Sequence, residues 1–439
     1  MSNLVLLFLF ILLSYFLSKS KWVKRSGIKT HILISLFAIK SLVGFALVIL
    51  YSTYYSKDNS DIWLYFNDAL FLKDLFINHR DVFWNILFDH NIHSESTYKY
   101  FSQLMYWDSP KVDFLLHEKR IVILLNLLFS FISFGNIYIN SMLMAFVGFM
   151  GQIAIFRFVK KQTQIEPFFV LLISFLLPTF LLWSSSILKE PLIIFSMGFL
   201  LFYLGKWTKK WKVKYLAGVI LFYTLAFFIK PYVVLSLTFP LFIFILFKFK
   251  ASYTFKKQSV TVLILTLVVF VSLSFLSVFN FNVFEKLANK QADFYKNIEQ
   301  AEQIKEVGSK IELDRLNPSF TSFLLNSPKA FSNVMFRPGI YEYKNLLYYP
   351  DIFQNLLILL IGILIMFKTQ KPKPSEFPFL WLSLLFVFVL FIVIGIVTPV
   401  LGAIVRYKIP ALIFVFFFML SFLKVSKDFS KINGILFQK

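Results

Sequence analysis

Acidic residues recur with helical spacing directly after the second apolar run of the sequence. Asp58, Asp61, Tyr65, Asp68 and Leu72 stand three, four, three and four residues apart, which predicts a helix that carries the acids on one face. A carboxylate in that place can act as a general base on an acceptor hydroxyl, or hold a divalent cation that bridges phosphate oxygens. A solvated helix face on an aqueous loop is the alternative interpretation of any single acid.

Basic residues close to prolines form a second candidate group: Lys189, Lys230, Arg337, Arg406 and Lys408. Proline suits the first turn of a helix, and the positive end of the helix dipole favours a bound phosphate. An arginine fork also suits phosphate or pyrophosphate recognition. Glu190, between the lysine at 189 and a proline, has three open roles, which are steadying the lysine, acid–base chemistry and helix capping. Cations that reach lipid headgroups from the membrane boundary are the alternative interpretation.

The composition indicates which elements position these residues. Of 439 residues, 58% are hydrophobic and 15% are charged, and the apolar residues form runs of about 15–25. Runs of this length without alternation predict membrane-spanning helices and exclude a β-barrel, so the fold class is all-α. The net charge of +22 arises from short basic clusters between apolar runs, the positive-inside pattern of membrane proteins, and it therefore does not indicate nucleic acid binding. No cysteine is present, which excludes disulfides.

The basic clusters predict a polytopic transmembrane helix bundle with about 11 spanning helices and the carboxyl end in the cytoplasm. The amino-terminal run has its positive charges after it, so it is interpreted as an uncleaved anchor whose amino end lies outside. The segment Ile121–Phe134 is too short to span and is predicted to be re-entrant or interfacial. The predicted crossings are Leu4–Ser18, His31–Tyr55, Ile139–Phe156, Phe168–Trp183, Pro191–Gly205, Tyr215–Ile229, Tyr232–Phe247, Val260–Phe279, Ile352–Phe367, Phe379–Val397 and Ile409–Leu423.

This topology divides the chain into four parts, with two large loops on the outer side of a bacterial-type inner membrane. Residues 1–30 form the anchor and a basic turn, and residues 31–279 form the core with the first outer loop at 56–119. Residues 280–350 form the second outer loop, in which Val283–Lys305 has the pattern of an amphipathic helix, and residues 351–439 form the last helices. All five candidate cations are expected on the outer side. Ser184–Glu190 is expected to be a short outer turn.

The order of these features resembles the GT-C superfamily of membrane glycosyltransferases, which take a sugar from a polyprenyl-phosphate carrier on the non-cytoplasmic face. The resemblance covers about Tyr55–Lys214 and is one of layout. A spanning helix precedes an outer loop that opens with acids, Phe134-Gly135-Asn136 leads into a returning helix, and a second outer turn contains Lys189-Glu190. The chain departs from the family in lacking a tight acidic doublet and in having an extra helix before the core.

The resemblance implies roles for individual residues. A first-loop acid serves as base or metal ligand in that family, which implies this role for Asp58, Asp61 or Asp68, and the second-loop acid is Glu190. The later cations Arg337, Arg406 and Lys408 are similar to the outer-loop arginines of O-antigen and exopolysaccharide polymerases. The partners implied are a polyprenyl-phosphate-linked sugar and a glycan or lipid acceptor. A divalent cation stays open as a cofactor.

The expected function is therefore a membrane glycosyltransferase or polysaccharide polymerase, with two alternatives. A lipid-linked oligosaccharide flippase or another transporter would need ionisable residues near the middle of the membrane. Lys40 is the one obvious example, and snorkelling to the membrane surface is an alternative open to it. A non-catalytic scaffold of an envelope assembly would leave the outer cations without an explanation.

Overall fold

The computed structural model describes residues 2–53, 57, 60–107, 118–249, 254–275, 282–302, 309–342, 346–425 and 429–438, and α-helices dominate these residues. The amino-terminal helices are α1 (Ser2–Lys19), α2 (Lys21–Lys24), α3 (Thr30–Thr53), α4 (Asp61–Asn78), α5 (Arg80–Leu87), α6 (Glu95–Phe101) and α7 (Glu118–Ser133). The central helices are α8 (Ile137–Gln162), α9 (Pro167–Leu176), α10 (Pro178–Trp183), α11 (Lys189–Trp207), α12 (Val213–Ile229), α13 (Pro231–Phe249) and α14 (Phe255–Phe275). The carboxyl-terminal helices are α15 (Val283–Glu302), α16 (Phe320–Phe336), α17 (Tyr349–Phe367), α18 (Phe377–Val397), α19 (Leu401–Tyr407), α20 (Ile409–Phe422) and α21 (Ser430–Leu436).

Several of these helices are long and apolar enough to cross a bilayer, so the protein is a multi-pass membrane protein. Six spans meet this condition among the described residues, and α19 with α20, bent by 63°, forms a seventh if the pair is one broken span. The predicted count of about 11 crossings is not confirmed. Three of the predicted crossings, α1, α9 and α12, are shorter apolar helices, and α9 is separated from α10 at Pro178. The spans are Thr30–Thr53, Ile137–Gln162, Lys189–Trp207, Pro231–Phe249, Leu346–Phe367 and Pro374–Val397.

Helix α8 forms the centre of the bundle and is buried along most of its length by α3, α9 and α11. Two glycines allow the chain after α10 to pack against this centre. A Cβ on Gly44 of α3 would collide with the carbonyl of Ser185, and a Cβ on Gly148 of α8 would lie 2.9 Å from the carbonyl of Ser184. The turn Ser184–Leu188 therefore lies buried between α3 and α8. The prediction of a turn at this place is confirmed, but the turn is not a surface feature of the outer side.

The basic clusters of the sequence come together at one end of the bundle, which we call the basic face. Arg157 Nη1 at the end of α8 donates to the Trp22 carbonyl at 2.8 Å, and Lys160 Nζ donates to the Ser26 carbonyl at 3.4 Å. The Lys424 amide donates to the Lys368 carbonyl at 2.8 Å and joins the ends of α20 and α17. We call the opposite end, where α11, α13 and α20 begin, the site face.

The second predicted outer loop contains more packed structure than expected. The predicted helix is confirmed over Val283–Glu302 as α15, whose Tyr295 and Ile298 are buried, and its last predicted residues, 303–305, lie outside the described residues. Helix α16, which the sequence analysis did not predict, lies along α18, and a Cβ on Gly395 would collide with the carbonyl of Ala330. Pro328 and several polar residues interrupt the apolar pattern of α16, which explains why it was not recognised.

Candidate functional site

Six charged residues from five separate segments meet at the site face, and we call this group the ion cluster. Its members are Asp61 of α4, Glu118 of α7, Lys189 and Glu190 of α11, Lys230 before α13, and Arg406 of α19. Four of the five segments were predicted to contribute, and the segment of Glu118 was not. The cluster contains three cations and three carboxylates.

Arg406 contacts both Asp61, an acid of the first predicted outer loop, and Glu190, the acid of the second predicted outer turn. Its Nη1 donates to Asp61 Oδ2 at 2.6 Å, and its Nε lies 3.6 Å from Glu190 Oε1. The guanidinium also lies over the ring of Trp183, with 5.3 Å between Cζ and the ring centroid. The Arg406 side chain is 20% exposed, and the residue lies just before the bend of 63° between α19 and α20. Asp61 and Glu190, which are 129 positions apart in the sequence, thus share one cation.

Glu190 and Lys230 form the buried centre of the cluster. Lys230 Nζ donates to Glu190 Oε1 at 2.9 Å, and the two side chains are 3% and 1% exposed. The ammonium group of Lys230 lies 5.4 Å from the ring centroid of Tyr407. Glu190 stands in the first turn of α11, where the helix dipole favours a negative charge. Because both side chains are buried, the Lys230 ammonium group and the Glu190 carboxylate neutralise each other's charge in place of water.

Lys189 and Glu118 form the more accessible edge of the cluster. Lys189 Nζ donates to Glu118 Oε2 at 2.7 Å, and the side chains are 17% and 28% exposed. Glu118 is the first residue of α7, which has 16 residues and is not among the candidate spans. This agrees with the prediction that the segment 121–134 does not cross the membrane.

Asp61 is held as an anion by its neighbours. Burial raises the pKa of Asp61, but the Arg406 guanidinium and a hydrogen bond from the Tyr106 hydroxyl outweigh this effect, so the pKa lies below its ordinary value. Burial and the adjacent Asp61 carboxylate raise the pKa of Tyr106, so this hydroxyl stays protonated as a donor. The ring of Tyr106 packs edge-on against Tyr65 at 5.0 Å. The arrangement fixes which oxygen of Asp61 faces the cation.

Asp68 is on the same helix, as predicted, but it has different partners. Its carboxylate accepts the backbone N–H groups of Met105, Tyr106 and Trp107 at 3.0, 2.7 and 3.0 Å. Burial raises the pKa of Asp68, and these three hydrogen bonds oppose that increase. In the structure Asp68 holds the backbone segment that carries Tyr106 and contacts no cation of the ion cluster. Asp58, the third predicted acid, lies outside the described residues.

Four polar atoms around the ion cluster are buried and, within the described part of the chain, lack a hydrogen-bond partner. They are Trp183 Nε1, Glu190 Oε2, Tyr232 Oη and Arg406 Nε. Buried polar atoms in proteins are normally hydrogen-bonded, and exceptions indicate water, an ion or a ligand. The cluster therefore has donor and acceptor capacity that its own side chains do not use.

Lys40 is buried within the bundle and does not snorkel to the membrane surface, so this open alternative is excluded. It stands ten positions after the start of α3, about 15 Å along the helix, and is 1% exposed. Its ammonium group donates to Ser184 Oγ in the buried turn before α11. Two further serines join the turn to α8, with 3.0 Å between Ser141 Oγ and Ser186 Oγ. A polar contact thus lies near the middle of the bundle.

Arg337 and Lys408 form a second group that does not join the ion cluster. Lys408 Nζ lies 2.9 Å from Asp351 Oδ1, both side chains are 0% exposed, and Lys408 also donates to the Arg337 carbonyl at 3.0 Å. The Arg337 guanidinium pairs with Glu342, with Nε donating at 2.9 Å. Lys408 therefore ties the bend between α19 and α20 to α17, two residues after Arg406. Three of the five predicted cations thus lie in the ion cluster, and the other two, Arg337 and Lys408, lie in this second group.

The divalent cation left open by the sequence does not match the arrangement of the acids. Among the residues that the structure describes, no three histidine or acidic side chains come together as a metal site. Asp61 faces Arg406, and Glu190 faces Lys230.

The sequence analysis did not identify four residues of these groups: Tyr106, Glu118, Trp183 as a partner of Arg406, and Asp351. Asp351 offered a signal, since it is an acid in the first turn of an apolar helix directly after a proline. Tyr106 and Glu118 offered none, because only the tertiary fold brings them to the cluster. Comparison with known protein families, curated proteins and solved structures finds no match for this chain.

Proposed function

We propose that the protein is a membrane glycosyltransferase or polysaccharide polymerase that uses a polyprenyl-phosphate-linked sugar at the site face. One observation carries the proposal: Lys189, Lys230 and Arg406, from three separate segments, meet next to the carboxylates Asp61 and Glu190. Cations that converge at the edge of a bilayer suit the phosphate of a lipid-borne substrate. A carboxylate beside them suits a hydroxyl acceptor. The site face is then the non-cytoplasmic one, and the basic face lies in the cytoplasm of a bacterial-type inner membrane.

In the proposed reaction an acceptor hydroxyl attacks the anomeric carbon of the donor sugar. The new bond joins the acceptor oxygen to that carbon, and the bond from the carbon to the phosphate oxygen breaks. The electron pair of this bond leaves with the polyprenyl phosphate, which Arg406 and Lys189 stabilise. The hydroxyl proton passes to Asp61. Lys230 stays with Glu190 and contributes a fixed positive charge to the field of the site.

The contact between Asp61 and Arg406 connects substrate binding with proton transfer. Without substrate, the guanidinium holds the pKa of Asp61 below its ordinary value, which makes the carboxylate a weak base. A phosphate that binds Arg406 competes with Asp61 for the same N–H groups. The released carboxylate has a higher pKa and accepts a proton more readily. Asp61 thus becomes an effective base only when the donor is bound.

The test is a mass-spectrometric profile of polyprenyl-linked glycans in cells that lack the protein, with the membrane side of each accumulated intermediate. Complementation with Asp61→Asn and Arg406→Ala, at normal membrane levels, is compared with Asp314→Asn, which alters an exposed ion pair outside the cluster. Intermediates on the outer face in the null strain and in both cluster variants, but not with Asp314→Asn, support the proposal. An unchanged profile, or full function of both cluster variants, overturns it.

A second candidate is a flippase for lipid-linked oligosaccharides, and Lys40 is the observation that favours it. A buried ionisable side chain near the middle of a spanning helix is costly in a membrane and is a common feature of transport pathways. The same glycan profile separates the two candidates. Intermediates trapped on the cytoplasmic face assign the flippase, and intermediates on the outer face assign the transferase.

A further inference from the structure

A long apolar groove runs between α9, the start of α10, α17 and α20, away from the ion cluster. It has a volume of about 980 Å³, and the only polar or charged residues in its lining are Lys368, Thr369 and Lys424. No acidic side chain of the described residues lines it. The other lining residues are apolar and come from these helices and from the residues that directly follow α9 and α20.

The groove follows the apolar helix α17 along most of its length. Its lining on α17 extends from Phe353 to Lys368, which is 15 positions or about 22 Å of helix. This is less than the roughly 30 Å thickness of a hydrocarbon core, so the groove fits within the membrane. Its apolar lining matches acyl chains, which surround such a bundle on all sides.

The two lysines at the basic face distinguish this groove from an ordinary lipid-facing surface. Backbone hydrogen bonds hold them together, because the Lys424 amide donates to the Lys368 carbonyl at 2.8 Å and the Gln370 amide donates to the Phe422 carbonyl at 2.8 Å. Both lysine side chains are exposed. Neither has a carboxylate within ion-pair distance among the described residues. The groove thus ends at two exposed lysines on hydrogen-bonded backbone segments, and a ligand can balance their charge.

We propose that this groove binds an anionic phospholipid from the leaflet at the basic face. The acyl chains lie between α9, α17 and α20, and the phosphate pairs with Lys368 and Lys424. Basic pockets between spanning helices are a known type of site for anionic lipid headgroups. A zwitterionic lipid offers the same chains, but its own positive group opposes the two lysines. The ligand is therefore selected by headgroup charge, and the inference does not depend on the proposed function.

Native mass spectrometry of the purified full-length protein, with added phosphatidylglycerol or phosphatidylcholine, tests the headgroup site. Wild type is expected to retain phosphatidylglycerol at several-fold lower lipid concentration than phosphatidylcholine. Lys368→Gln/Lys424→Gln should abolish this preference. The matched control is Lys371→Gln/Lys373→Gln, which removes two exposed lysines from the same connection that do not line the groove. Equal loss in the two double variants, or no loss in the first, overturns the proposal.

A second pair of variants tests the groove itself while the lysines stay in place. Leu357→Trp fills the groove, whereas Leu359→Trp places the same ring on a residue of α17 that is 49% exposed and outside the lining. Leu357→Trp is expected to lower the bound phosphatidylglycerol several-fold, with no change for Leu359→Trp. Retention equal to wild type in Leu357→Trp shows that the lipid binds elsewhere and overturns the proposal.

Discussion

Removal of Lys230 leaves the Glu190 carboxylate buried without its closest cation. The substitution Lys230→Met keeps a side chain of similar length but no charge. Glu190 is 1% exposed, so water does not replace the lost hydrogen bond of 2.9 Å. Breaking one side of a buried ion pair costs about 3–5 kcal/mol. Because Arg406 Nε remains 3.6 Å from Glu190, we expect the lower end of that range.

The chain offers a matched control for this substitution. Lys329 and Asp314 also form an ion pair of 2.9 Å, but their side chains are 54% and 64% exposed. An exposed pair contributes about 0–1 kcal/mol, so Lys329→Met should change stability little. The same chemical change is thus made once in a buried and once in an exposed pair. The difference between the two variants measures burial of the charge rather than loss of a lysine.

The assay is SDS-induced unfolding in mixed micelles, followed by the fluorescence of the eight tryptophans. A loss of about 3 kcal/mol changes the unfolding equilibrium constant by roughly a hundredfold. Glu190→Gln/Lys230→Met should lose less than the sum of its two single substitutions by about 1–3 kcal/mol, because no uncompensated charge remains. The reasoning is refuted if Lys230→Met is no more destabilising than Lys329→Met, or if the double variant is additive.

Three further predictions follow from the same contacts. The pKa of Asp61 in the folded protein is depressed, so the pairing of Asp61 with Arg406 stabilises the fold at pH values above the ordinary aspartate pKa of about 3.9. This stabilisation is lost as the pH falls through the lower pKa of the folded state. The difference in unfolding free energy between wild type and Asp61→Asn should therefore be constant from pH 7 to 5 and decrease below pH 4. Gly44→Ala should lower the unfolding free energy by about 1–3 kcal/mol, because the added Cβ collides with a backbone carbonyl. Gly362→Ala should leave the unfolding free energy unchanged, because its Cβ lies 3.7 Å from the flexible end of a methionine. Equal effects of the two substitutions in SDS unfolding would contradict this. Lys408→Met should cost about 3–5 kcal/mol because Asp351 is left buried, and the added substitution Asp351→Asn should recover part of the loss, measured by the same titration.

The convergence of the cluster was predictable because it depends on the topology of a few helix ends. Basic clusters at one end of the bundle leave Lys189, Lys230 and Arg406 at the other, each within four residues of a proline. A charged residue on a membrane helix costs little free energy only near one of the two helix ends. Cations that do not belong to the basic clusters at one end of the bundle therefore lie at the other end. The convergence of these cations depends on the end of the bundle at which each helix begins, and it does not depend on the total number of spans. The count of about 11 depended on helix length and continuity, which the break at Pro178 changes.

The pairing within the cluster was not predictable, because it depends on tertiary contacts. Lys408 and Arg406 are two residues apart in one sequence motif, yet the bend between α19 and α20 directs them to different carboxylates. Lys40 does not snorkel in the structure, because α3 is packed in the bundle and is not an isolated helix. In the bundle, Ser184 offers the ammonium group a partner at the depth of the residue. Local rules for a single helix therefore failed where another segment enters the membrane.

The exposure of the two acids on Arg406 separates their roles in the proposed reaction. The cluster already balances three cations with three carboxylates, so an incoming phosphate must displace a carboxylate from a cation. Glu190 is 1% exposed and its displacement would leave a buried charge, whereas Asp61 is 28% exposed and can turn towards water. The phosphate therefore replaces Asp61 on the guanidinium, and Glu190 stays as the fixed counter-ion that holds Lys230 and Arg406 together. Asp61 is thus the only acid of this pair that can change partner and accept a proton within one catalytic cycle.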